Sequence, residues 1–144
     1  MAKVYWCANG FWRQAFGFCP SERAWKELAR VSKRELGPYP PLDQAATTTL
    51  FRDYKFDRRV AVVTISDREP AATVNLLVHE AVHVWQDLCE GIGEHAPSSE
   101  FEAYTVQHIS AELFRAYEKT RGPLFTRPSP SKPRTRPGSR ANGL

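Results

Sequence analysis

LLVHEAVHVW, residues 76 to 85, decides how the rest of the chain is read. Two histidines and a glutamate stand in a segment whose other residues are all apolar. Pro70 upstream suits a first helical turn, and Gly91 and Gly93 downstream favour an ending, so a helix is predicted from about Pro70 to Leu88. A helix so apolar is expected to be buried. His79, Glu80 and His83 then need partners, because a buried polar group left unsatisfied costs on the order of 1–3 kcal/mol or more. His79 and His83 are four apart and project from one helix face, one turn above the other. Imidazoles so placed can hold one zinc ion at about 2.0–2.1 Å. Glu80 then projects beside the metal, where a carboxylate can take a proton from water polarised by it. The competing reading has protein groups satisfy all three side chains, Glu80 pairing with Arg52 or Arg58.

Working outward, TTTLFRDYKFDRRVAVVTIS (residues 47–66) is rich in β-branched residues and broken at DYKFD, which predicts strands at about Thr47 to Arg52 and Arg59 to Ser66. KVYWCA (residues 3–8) reads as a short strand. PSERAWKELARVSKRELGP (residues 20–38) reads as an amphipathic helix with a Ser21 N-cap, apolar Trp25, Leu28 and Ala29, and a stop at Gly37-Pro38. A last helix is predicted from about Ser99 to Thr120. Trp25, Trp85 and Phe101 are core candidates. This order implies an α+β domain of residues 1–120, its helices packed on a small antiparallel sheet.

Residues 121–144 differ in kind. Five prolines and almost no apolar residue after Phe125 predict a disordered tail. It carries six Lys or Arg and no Asp or Glu. Of the chain's twenty basic and sixteen acidic residues, fourteen and sixteen therefore remain in residues 1–120. The basic pI belongs to the tail, which offers a weak nucleic-acid contact through charge alone. Cys7, Cys19 and Cys89 are an odd number without CxxC spacing, so free thiols are expected. Neither a bilayer-spanning run nor a secretory leader is recognisable, and a cytoplasmic protein without membrane contact is expected.

HEAVH in its uncharged surroundings resembles the signature of the zincin metallopeptidases. The metzincin branch would place Gly at position 86 and His at position 89, where this chain has Gln86 and Cys89. The gluzincin branch takes its third ligand from a following helix, and SSEFEAY (residues 98–104) offers Glu100 and Glu102. Several gluzincin-like families carry E-x-x-A-D or E-x-x-A-N there, with the first glutamate as ligand. Glu100 and Ala103 match that pattern, and Tyr104 departs from it. A capping box from Ser99 to Glu102 would occupy Glu102 and leave Glu100 for metal; against this, Glu102 shares a face with Val106, Ile109 and Leu113. Glu100 is preferred, with Glu102 and the loop residue His95 as alternatives.

More loosely, the first 120 residues look similar to small metallopeptidase-like proteins of phages and bacteria. The resemblance implies Zn2+ as cofactor and a peptide or protein substrate in a bacterial or phage-infected cell. It also implies a cleft bordered by the strand before the motif helix, and hydrolysis with Glu80 as general base. Tyr104 or His108 is the candidate oxyanion stabiliser. Two rivals remain: a zinc-binding module without turnover, and a DNA-associated zincin protease tethered by its basic tail.

Overall fold

RRVAVVTI, from Arg58 to Ile65, forms the central strand of the protein. The computed structural model describes residues 3–8, 13–40 and 45–126. Within them run β1 (Tyr5–Trp6), β2 (Gln14–Phe18), α1 (Glu22–Ser32), β3 (Ala46–Asp53), β4 (Arg58–Ile65), α2 (Pro70–Ile92) and α3 (Ser99–Arg121). The sheet order is β1-β2-β4-β3. β4 is covered on both faces, and Val60 through Ile65 are all buried, which is why this stretch is continuously apolar rather than alternating.

The sheet is mixed, not antiparallel as expected. β3 and β4 form an antiparallel hairpin, from Ala46 opposite Ile65 to Asp53 opposite Arg58. β2 runs parallel to β4, with Gln14 opposite Arg59 and Phe18 opposite Val63, and β1 is antiparallel to β2. QAFGF does not read as a strand because Gly17 interrupts it. The glycine is needed there: a Cβ would stand 2.8 Å from the Tyr5 carbonyl oxygen and 2.8 Å from Val4 Cγ1, so β1 can cross close only over a bare backbone.

Alternation along β4 sends Ala61, Val63 and Ile65 into one core with Leu77, Ala81, Val84 and Leu88 of α2 and Ile109, Leu113 and Ala116 of α3. Val60 and Val62 face the opposite way, into a second cluster with Trp25 and Leu28 of α1. Among the described residues helices therefore lie on both sides of the sheet, α1 on one and α2 with α3 on the other. Full burial of each Leu, Ile or Val is worth about 1.5–3 kcal/mol.

The helix boundaries follow from their caps. Ser21 accepts from Ala24 N at 3.2 Å as expected, but α1 stops at Ser32 because Lys33 turns left-handed (φ 54°), well before Gly37. Glu69 caps α2, accepting from Ala71 N at 3.0 Å and Ala72 N at 2.7 Å, with Pro70 behind it. α2 runs past Leu88 and through Gly91 to end at Gly93, whose φ of 72° makes the left-handed cap.

The fold also continues beyond residue 120. Arg121 donates to Ile65 O at 2.7 Å and to Pro20 O at 2.9 and 3.0 Å, while its guanidinium lies over Phe18 and Tyr117. Leu124 is buried in the main core, and Phe125 packs edge-on against Phe114. The rest of the basic tail, residues 127–144, lies outside the described residues. Among the described residues, no helix is long and apolar enough to cross a membrane.

Candidate metal and hydrolase site

α2 presents four faces to four environments. Leu77, Ala81, Val84 and Leu88 enter the core, and Trp85 meets Phe101 of α3 edge-on at 5.1 Å between ring centroids. Asp87 points down to the sheet. His79, His83, Gln86 and Glu90 share the remaining stripe, which looks into a cleft of about 480 Å³ walled by Ala46, Thr48 and Leu50 of β3. The strand at the cleft is thus β3, an edge strand of the sheet, and not β4, which the resemblance placed there.

Of the three polar motif residues only Glu80 is buried, 3 % exposed; His79 and His83 are exposed to the cleft. The expectation of a fully buried trio fails because the helix has one open face. Glu80 is satisfied by Thr48, whose hydroxyl donates to Oε2 at 2.5 Å across the gap between β3 and α2. Arg52 and Arg58, the partners weighed for it, pair with Asp57 and Asp53 instead.

The two imidazoles converge. Their Nε2 atoms are 3.2 Å apart, with the rings edge to face at 4.9 Å between centroids. Two ligand nitrogens on one tetrahedral zinc stand about 3.3–3.4 Å apart, as the Zn–N lengths of about 2.0–2.1 Å require. The 3.2 Å contact is a hydrogen bond between the two rings and at the same time close to the spacing that shared coordination needs. His83 Nδ1 donates to Gln86 Oε1 at 3.1 Å, which makes its Nε2 the acceptor in the contact with His79 Nε2.

Beneath the pair, a polar tie sets the height and rotation of α2. Arg59 grips the buried Asp87 through Nε at 2.8 Å and Nη2 at 2.6 Å, and reaches Glu90 at 3.2 Å. Gln14 Nε2 donates to Asp87 Oδ2 at 3.0 Å and to Val84 O at 2.9 Å. Burial opposes the charge on Arg59, but the hydrogen bond to Asp87, the largest influence, holds its pKa above the ordinary guanidinium value. Gly91 is part of the same device, since a Cβ there would meet Arg59 Cδ at 2.5 Å.

The downstream candidates sit apart from this cleft. Glu100 and Glu102 occupy the first turn of α3, are exposed, and do not line the cleft. Among the described residues no group of three His, Cys, Asp or Glu side chains forms a ready metal shell. Ser98, not Ser99, caps α3, accepting from Phe101 N at 3.2 Å, so the capping box invoked for Glu102 does not form. Glu102 lies near Cys89; burial, then the charges of Glu94 and Glu102, push that thiol's pKa up. His95 is exposed in the loop between α2 and α3, outside the cleft lining. Tyr104 is exposed, and His108 Nε2 donates to the Ala8 carbonyl at 3.1 Å, which commits it to the loop after β1.

Thr48, Asp87 and Gln14 carry no signal of their own in the sequence. Thr48 is one of three consecutive threonines, and only the register of β3 selects it. The chain matches no protein-family model, and neither the curated proteins nor the solved structures contain a match to it.

Proposed function

We propose that the protein is a zinc-dependent metallopeptidase of gluzincin type, with His79 and His83 holding the metal and Glu80 acting as general base. The observation that carries the reading is the convergence of the two Nε2 atoms at 3.2 Å beside a buried carboxylate. Zinc in that position supplies a Lewis acid and lowers the pKa of water to about 7. Glu80, oriented through Oε2 by Thr48, keeps Oε1 to take a proton from the attacking water and deliver it to the leaving amine. Gln86 holds the His83 ring in the ligating tautomer. The outer edge of β3 offers main-chain groups along which an extended peptide can lie over the cleft, and this supports a peptide substrate.

The third ligand proposed is Glu100. One feature favours it: Phe101 on Trp85 anchors the first turn of α3 beside the half of α2 that carries His83. Among the described residues Glu100 makes no hydrogen bond or ion pair, so its carboxylate is uncommitted. The Thr48–Glu80 bond also favours a second reading, a zinc-binding module whose carboxylate is structural.

Glu80→Gln separates the two. Loaded with zinc and incubated with a peptide library that the wild type cleaves, it should retain the metal and lose at least a hundredfold in rate, the lower range for a lost general base. Cleavage at the wild-type rate would remove Glu80 from the chemistry.

A further inference from the structure

On the other side of the sheet from the histidines, the β3–β4 hairpin and the end of α1 enclose a groove of about 600 Å³. Its charge is unlike that of the rest of the body. Lys33, Arg34, Lys55 and Arg58 line it against a single carboxylate, Asp53, whereas residues 1–120 as a whole carry fourteen basic and sixteen acidic side chains. Its aromatics are equally out of place. Tyr54 is 78 % exposed and Phe56 61 % exposed, although both rings would be better buried.

Cations and rings alternate in contact. The Arg34 guanidinium lies 5.2 Å from the Tyr54 ring centroid and 5.5 Å from that of Phe51. Lys55 and Arg58 lie 5.2 and 5.1 Å from that of Phe56. The cations are engaged only at the surface: Arg34 donates to the Arg52 carbonyl, and Arg58 meets Asp53 through Nε at 3.4 Å while its side chain stays 37 % exposed. Such ion pairs at the surface are weak and easily exchanged for another anion.

We propose that this groove binds single-stranded nucleic acid, with bases stacking on Tyr54 and Phe56 and phosphates lying on Lys33, Arg34, Lys55 and Arg58. Interleaved rings and cations are what an unpaired strand requires, because every base has a π-face and every linkage a negative charge. A duplex hides its base faces, and an acidic peptide has no array of rings to stack. The site is independent of the metal reading and of the basic residues after 126.

The test is fluorescence anisotropy with a labelled twelve-nucleotide DNA strand of mixed sequence, using the full chain in 50 mM salt. Tyr54→Ala with Phe56→Ala should weaken binding by about tenfold or more, as the loss of one or two stacked bases requires. Both side chains are exposed, so the variant should keep the wild-type melting temperature, measured in parallel. A second variant replaces Arg127, Lys132, Arg134, Arg136 and Arg140 with glutamine. It should still bind, with a log–log salt slope of about −2 to −3 for three or four phosphates, a loss of roughly twentyfold to fiftyfold between 50 and 200 mM salt. Any of four results would overturn the proposal: no binding in 50 mM salt, binding indifferent to the two rings, binding abolished by the tail variant alone, or equal affinity for a duplex or for poly-glutamate.

Discussion

Thr48→Val removes one oxygen from the site and keeps the shape and β-branching of the strand residue. In the wild type that hydroxyl reaches a carboxylate that is 3 % exposed, at 2.5 Å. A hydrogen bond to a charged group is worth about 1.5–3 kcal/mol, and removing the donor leaves the buried acceptor with its desolvation cost. The valine chain should therefore be about 2 kcal/mol less stable at pH 7, which for a domain of this size lowers the melting temperature by roughly 6–12 °C. Part of any such loss is generic, since a hydroxyl has been exchanged for a methyl.

A double-mutant cycle with Glu80→Met isolates the pairwise part. Once the carboxylate is gone, Thr48→Val should cost little, and the coupling between the two positions should come to about 1.5–3 kcal/mol in urea unfolding. A coupling below about 0.5 kcal/mol, the range in which independent sites add, would refute the assignment of Thr48 as the partner of Glu80.

Arg121→Ala should cost about 3 kcal/mol, because the Pro20 and Ile65 carbonyls lose their donor together; chemical denaturation checks it. Gly91→Ala reverses the ordinary sign of a glycine replacement inside a helix, where alanine gains about 1 kcal/mol. The new Cβ displaces Arg59 from Asp87, and a net loss of about 1–2 kcal/mol is expected in thermal unfolding. Burial pushes the Cys7 thiol up to about 12, with the Glu112 charge adding to it, and Cys19 up to about 11. Both stay protonated in the fold above the pH at which the unfolded chain ionises. Their contribution is thus complete below about pH 9 and falls by about 1.4 kcal/mol per pH unit and per thiol above it. Urea midpoints at pH 8 and pH 10 should show this fall, and Cys19→Ala should make it shallower.

What could be read from the chain was whatever its local pattern encodes. α2, α3, β3 and β4 each carry a long period of their own, apolar at helical spacing or β-branched in a run, and their places follow from it. β2 carries none. Five residues with a glycine in fourth place become a strand only because β1 approaches from one side and β4 pairs in parallel on the other. The parallel pair turned an expected antiparallel sheet into a mixed one, a long-range fact that no window of sequence contains.

The site divides in the same way. His79, Glu80 and His83 were legible because spacing on a helix fixes their relative directions. Their burial was not: a stripe of Leu, Val, Ala and Trp looks uniformly apolar, yet β3 covers only part of it and leaves the histidines open. The partner of Glu80 lies thirty-two residues away in a neighbouring strand and depends on register. The capping argument at α3 missed by one residue, since Ser98 and Ser99 are equivalent caps on paper and the chain uses the first.

The histidine pair is the centre of this reading, and the most direct measurement of it is metal content by mass spectrometry on freshly purified full-length protein. His79→Ala, His83→Ala and Glu100→Ala are run beside the wild type. About one zinc per chain is expected in the wild type, lost in both histidine variants and weakened in the Glu100 variant. A wild type that stays empty after repletion with zinc, or one whose zinc survives removal of either histidine, would contradict it.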